Sequence, residues 1–553
     1  MTRARALALL VGLLVAACRA PTPEMTTPST MVPTAVVTTE APAPTLRVAV
    51  TGPLSGVNWW AALGSEGSAL DRLMTHGMTA SLFVGTAHEP AADLAMLPLA
   101  VPRPDGDGWV VDQRIAADRR WSDGRPIVAG DLTFYLDTVR SFSLDGSHAY
   151  PTGVVSVEAP DDHTIRIRYE RAPGPDLWPG EIGRVPFVPS HHWEALLADI
   201  HDRPALYGLE APAPPGAMPE TVSWVVAGSR EDAYRLLMDG QVDFVHDPVG
   251  TAGLPAGLLD DLRETAALTT SVRSPVRVLA MNQRVAPFDD PAMRLALATI
   301  VDRVELAGML GATPAYSFYR PDSIAPAGPG TFDGERLDLA ARVDAAVTIL
   351  EEAGYTWATR PAVVGREVEG GSALRRPNGS PVGPLRLLVS DHDSMRVEAA
   401  AWIAGRADLI GVEMEVVPTP DLAGIVLPPL DSDASRGWAI ALLGWRWTGP
   451  ADPVGLMIHL FHSSEDSYLA GGTNVTGLAS ATFDDLADRY RVTTSPSKAV
   501  ELAAAMEAVA LQEAAQLPLY RETITEAHAA GLPFVPVVDG IHADPRSWPF
   551  QSP

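Results

Sequence analysis

Few residues in this sequence are placed for bond-making chemistry, and those that stand out suit the holding of a molecule. Trp445, Arg446 and Trp447 are consecutive. Two indoles offer flat apolar walls, each with one N–H donor, and a guanidinium can pair with a carboxylate or stack on a ring. Alternation along an extended segment points Arg446 away from the two tryptophans. Asn58, Trp59 and Trp60 come just after the first predicted strand, where strand ends of an open α/β sheet face a crevice. His459 and His462 have i, i+3 spacing, and His191, His192 and His392 lie elsewhere, but no convergent carboxylate or fourth ligand accompanies them. No metal and no cofactor are expected. The sequence has no Gly-x-Ser-x-Gly elbow, no His-Glu-x-x-His pair and no Walker loop, so an enzyme is not expected. Glu351–Glu352 and Asp289–Asp290 are adjacent carboxylates that diverge on a helix or strand, and read as solvated faces or caps.

The charge balance removes another class. Asp and Glu number 68 against 41 Lys and Arg, for a formal charge of −27, and such a field repels phosphate, which excludes nucleic acid as a partner. With 553 residues, 46% of them apolar and 20% charged, the chain is a soluble globular protein of two or three domains. Its one cysteine, Cys18, rules out a disulfide framework within the chain. Arg3 and Arg5 precede a short apolar run from Ala6 to Ala17, too short to span a bilayer and of the form of a secretory h-region. It ends in Val15-Ala16-Ala17-Cys18, which resembles a bacterial lipobox. The expectation is a lipoprotein signal peptide over 1–17 with lipid on Cys18. Residues 18–45 are Pro- and Thr-rich and form a tether, since so few large apolar groups cannot offset ordering entropy.

Behind the tether, strands and helices alternate. Strands are predicted over 46–50, 110–115, 154–167 with a turn at 160–162, 276–281, 385–389, 412–417 and 438–444. Helices are predicted from 132 to 140, 229 to 238, 291 to 310, 337 to 353, 395 to 409, 483 to 490 and 499 to 515, with Asp131 placed to accept N–H groups where the first begins. The class is α/β.

Trp121, Ser122, Asp123, Gly124, Pro126, Ala129 and Asp131 fit the pattern Trp-Ser-Asp-Gly-x-Pro-x-x-Ala-x-Asp. At this point the chain resembles the family 5 extracellular solute-binding proteins, the dipeptide, oligopeptide and nickel receptors of ABC importers. Further matches follow in the family's order: 159–165, Leu236 to Asp243, Asn282 through Asp290 to Arg303, Leu350 to Tyr355, Gly444–Trp445 with Asp452–Pro453, and Leu517 to Tyr520. The resemblance implies a two-lobed, class II periplasmic-binding-protein-like fold, with an extra subdomain in lobe one and a ligand cleft between lobes that close by hinge bending. Lobe one would comprise 46–275 and 518–553, and lobe two 276–517. The implied function is a lipid-anchored, extracytoplasmic, monomeric receptor that hands a peptide-like or other small solute to ABC permease subunits. Family position makes Trp445, Trp447, Arg446, Trp59, Trp60 and Asn58 the expected ligand contacts.

Two departures bear on the ligand. The family's Gly-Thr-Gly-Pro-Tyr and Asn-x-x-Tyr segments are missing, and Glu194 to Thr221 is a short, proline-rich stretch instead. Peptide-binding members carry an aspartate a few residues after Gly-Trp for the peptide's ammonium; Trp445 to Ala451 contains no carboxylate. The alternative is a degenerate scaffold that acts as a surface sensor or interaction module without transport.

Overall fold

The computed structural model describes residues 45–51, 58–63, 79–85, 90–98, 100–144, 153–174, 178, 182–207, 209, 221–321, 337–428, 437–445, 453–534 and 536–541. They belong to one compact unit spanning 43–553. The signal, Cys18 and the tether lie outside the described residues.

Two long strands organise everything else. Ala267–Met281 and Gln516–His528 run antiparallel at the centre of a nine-stranded sheet. On one side the order continues through Ile440–Trp445, Leu385–Ser390 and Met414–Thr419; on the other through Phe244–His246, Thr45–Thr51 and Thr221–Ala227. A short strand, Thr313–Pro314, also pairs with the return strand 516–528. The outer strands on each side are mutually parallel, and the 385–390 and 440–445 strands carry runs of buried apolar residues because both faces are covered. Helices 291–300, 339–352 and 394–409 cover one face of the second lobe, while 453–461, 481–492 and 496–512 cover the other. A separate four-stranded antiparallel sheet, built from 103–105, 108–114, 164–169 and 154–161, packs on helix Ala129–Ser141 as the extra subdomain.

Two predicted elements differ. The helix expected over 291–310 is two, Pro291–Ile300 and Arg303–Leu310, because Val301 turns extended and the Asp302 carboxylate caps the second through the Val304 and Glu305 amides. The strand expected from 276 begins at Ala267, since Thr269 to Arg273 alternate too weakly in hydropathy to announce themselves.

The motif residues hold the subdomain together. Asp131 lies inside the first helical turn, two residues past the helix start, and is 1% exposed. Its carboxylate accepts from the Trp121 indole at 3.0 Å, the Val128 amide at 3.1 Å, and the Ser190 amide and hydroxyl at 3.0 and 2.7 Å. It thereby ties the tryptophan, the helix start and helix Ser190–Leu197 to one group. Asp243 plays a similar part between the outer strands of lobe one, accepting from the Arg47 amide at 2.7 Å and from its Nε and Nη2 at 3.0 and 2.6 Å. Burial pushes the Asp243 carboxyl up, but the Arg47 hydrogen bonds outweigh it and hold the group below the usual aspartate range.

Asp131→Ala leaves four donors without their acceptor, so the loss of unfolding free energy should be about 3 kcal/mol or more in urea denaturation; a loss under about 1 kcal/mol would contradict this role. The depressed Asp243 carboxyl contributes stability that is present above the unfolded value, about pH 4, and is lost as pH falls below it. Arg47→Met should flatten that acid limb in denaturation measured between about pH 5 and pH 3.

Candidate functional site

The strand directions bring the two lobes' ends together. Trp445, at the C-terminal end of its strand, pairs with Val276, and Phe244, near the start of its strand, pairs with His528. Both sets of parallel strands therefore end toward the stretch where the two long strands cross between lobes, and strand ends of this kind carry ligands in open α/β sheets. The crossing is marked by a break in pairing between Val272 and Val276, where Pro275 has no N–H to give. Arg521, 4% exposed, fills the break: Nη1 donates to the Ser274 carbonyl, and Nη2 to the carbonyls of Ser317 at 3.0 Å and Tyr319 at 2.6 Å.

One residue beyond the break begins a charged floor. Arg277 donates through Nε to Glu522 at 2.9 Å and lies 3.5 Å from Asp393. Asp393 caps helix Ser394–Leu409 by accepting from the Arg396 amide, and lies 2.7 Å from the Arg396 guanidinium. The two guanidiniums are adjacent because Gly444, opposite Arg277, has no side chain; a Cβ there would run into Arg277 and press on Arg396. Burial, and then the neighbouring Arg277 charge, pull the Arg396 guanidinium below its ordinary value. Tyr520, opposite Arg277 on the other side, is fully buried, and its hydroxyl has no hydrogen-bond partner among the described residues. All four charged side chains keep a small exposed fraction, between 13% and 28%, so an arriving solute can meet them. Two neighbouring guanidiniums can share a carboxylate or similar anion. At the first lobe's strand ends stand Val226 and Val249, each 54% exposed, and the Asp247 turn locked by Arg230 and Tyr234.

The residues singled out from the sequence fare unevenly. Trp445 is half-buried, and its indole N–H donates to the buried Gln516 Oε1 at 2.6 Å, so that donor is committed inside the protein. Arg446 and Trp447 lie outside the described residues. Trp59 and Trp60 are core residues: they pack on one another, on Tyr135 and on Trp193 at ring distances of 5.1 to 6.4 Å in the subdomain. The short helix Trp59–Leu63 carries them inward, which corrects the expectation that they line the crevice. Asn58 is structural for the same reason, since its amide donates to the carbonyls of Leu206, Tyr207 and Leu209 and its oxygen caps the helix. His191 pairs with Asp123, and His462 accepts from the Ser464 amide. Among the described residues no group of three or more His, Cys, Asp or Glu is arranged to hold a metal ion. Sequence reading passed over Arg277, Arg396 and Glu522; the available signal was a charged residue within each apolar crossing strand, Val276-Arg277-Val278 and Tyr520-Arg521-Glu522.

Residues 216–468 match the family described as bacterial extracellular solute-binding proteins, family 5 middle. A probable peptide-binding protein YejA from Agrobacterium fabrum is 27% identical over 204 residues, 36% of this chain and 32% of that protein. The chain thus spans about a third of the length of the curated relatives it matches. The periplasmic murein tripeptide-binding protein MppA, in its unliganded open form, superposes with a TM-score of 0.66 at 15% identity, over 92% of this chain and 96% of that one. The periplasmic EDTA-binding protein EppA superposes at 0.60 and 16% identity, over 93% and 98%. The α/β architecture is accordingly the two-lobed class II fold, and its middle part, residues 216–468, is similar to the bacterial extracellular solute-binding proteins, family 5.

Proposed function

We propose that the protein is the solute receptor of an ABC importer, taking a carboxylate-bearing small molecule between its lobes and presenting it to permease subunits. The observation that carries this reading is the paired guanidinium floor at the interlobe crossing, where strand ends of both lobes converge. Lobe one comprises 46–275 and 518–553 and lobe two 276–517. Related proteins named for a peptide, a murein tripeptide and EDTA share carboxylate groups in what they bind, which supports an anionic group as the common handle. A free peptide ammonium is poorly served. No acid follows Gly444–Trp445 before Asp452, and Asp393 and Glu522 are already engaged by arginines. An ammonium buried without a partner loses several kcal/mol of hydration. The half-buried Trp445, with Arg446 and Trp447 next to it, and the exposed Val226 and Val249 suit a ligand with a flat or apolar face.

The protein works outside the cytoplasm as a monomer, held to the membrane by lipid on Cys18. No helix among the described residues is long and apolar enough to cross a membrane.

Mass spectrometry of what co-purifies with the denatured protein should yield a carboxylate-bearing solute. Calorimetry with a mixed tripeptide library should show no micromolar binding; micromolar binding that vanishes on N-acetylation would overturn the ligand class. For a carboxylate solute that does bind, Arg277→Ala should weaken affinity about 30-fold or more, the ~2 kcal/mol of a lost charge-assisted pair. Cys18→Ser should move the protein from the membrane fraction to the soluble one, because the apolar anchor is gone; unchanged membrane retention would refute lipidation.

A further inference from the structure

Behind the crossing lies a carboxyl group that the binding floor does not use. Glu507, on helix Pro496–Gln512, is 1% exposed. Its Oε1 accepts from the Ser317 hydroxyl at 2.6 Å and the Phe318 amide at 2.8 Å. The Ser317 hydroxyl in turn accepts from the Tyr319 amide, and the Tyr319 hydroxyl donates to the Ala503 carbonyl, one turn before Glu507 on the same helix. The carboxyl group therefore holds the N–H side of the 317–319 turn. The C=O side of that turn is the seat of Arg521, whose other arm holds the Ser274 carbonyl in the pairing break. The Ser274 amide donates to Asp539, which also pairs with Arg320 at 3.1 Å. One unbroken chain of polar contacts thus runs from a second-lobe helix, through the break in the crossing strand, to the segment following the return strand.

The charged groups around Glu507 are few. From the return strand Arg521 faces it; from the turn, Arg320 is spent on Asp539. The helices 453–461 and 481–492, packed on its own helix, contribute Met457, Phe461, Phe483 and Tyr490 to the same apolar cluster, while His459 and Asp484 pair with Glu465 and Ser463. Burial pushes the Glu507 carboxyl up to about 7, against the opposing pull of the Ser317, Phe318 and Tyr319 hydrogen bonds and the Arg521 charge. A protonated Glu507 sits neutral among these apolar side chains and still accepts from the turn through Oε1; an ionised one carries a charge whose burial the turn and Arg521 do not fully offset, so ionisation favours an opened, hydrated state.

We propose that Glu507 is a proton-operated latch on the interlobe hinge: protonated, it sits neutral in its apolar cluster and holds the turn that seats Arg521; ionised, its buried charge favours a loosened crossing that admits water. The consequence for solute capture rests on the receptor reading, but the latch does not, and its test needs no solute. Hydrogen exchange in the full chain, corrected for intrinsic rates, gives protection at the Phe318 and Ser274 amides relative to Leu388, which lies in the same sheet away from the break. That ratio should fall about tenfold between roughly pH 6 and pH 8 in the wild type, because a carboxyl raised by burial makes the closed state lose stability as pH rises through its midpoint. In Glu507→Gln it should stay flat at the low-pH value. A wild-type ratio that does not fall with pH overturns the proposal, as does an equal fall in the glutamine variant. If that variant does not fold, the wild-type ratio alone decides. Failure to find any bound solute would count against the receptor and leave this ratio untouched.

Discussion

A guanidinium in a break between two strands is the contact on which the two-lobed arrangement depends. Antiparallel ladders prefer to continue, and an uninterrupted 267–281 and 516–528 pair would make one stiff ribbon through the molecule. Pro275 interrupts the ladder, and the interruption leaves buried carbonyls that must be satisfied. Arg521 satisfies the Ser274 carbonyl in the break and, with its other arm, the Ser317 and Tyr319 carbonyls of the 317–319 turn. The crossing is thereby both interrupted and held, which is what a hinge between packed lobes requires. Everything built beyond it, the strand ends, the charged floor and the turn over Glu507, takes its position from this point.

The floor itself is a compromise between burial and availability. Arg277, Arg396, Asp393 and Glu522 neutralise one another, so the site avoids a bare buried charge before any solute arrives. Their partial exposure lets an arriving anion share the guanidiniums without first stripping a fully dry pair. The cost is that the acids are occupied. A floor built this way favours an anionic group over a cationic one placed on it.

Much of the frame was legible in the sequence because its signals are local. The 121–131 motif, the Asp243 position and the alternation of strands and helices follow from short patterns, and the structure gives the motif residues plain mechanical tasks: Asp131 and Asp243 gather donors from separated segments. What escaped depends on contacts distant in sequence. Trp59 and Trp60 follow the first strand as crevice residues would, but Tyr135 and Trp193 draw them into a subdomain core that no local pattern reveals. The helix over 291–310 has continuous apolar periodicity, and only the capping geometry of Asp302 divides it. Arg277 and Arg521 look like ordinary polar interruptions of strands until Gly444 and the Pro275 break show the space they occupy.

The placement of the return strand also sets an order of assembly. Strand 516–528 completes the sheets of both lobes: Leu517 pairs with Leu279 in the second, and Ile524 pairs with Ser271 in the first. A chain synthesised from its N-terminus exposes strands 244–246 and 267–281 well over two hundred residues before that partner strand emerges. Neither lobe can close its central sheet during most of translation, and such sequence-distant pairing folds slowly. An unfinished sheet of this kind keeps the polypeptide threadable until its end is made, the state a protein needs if it is to cross a membrane before it folds.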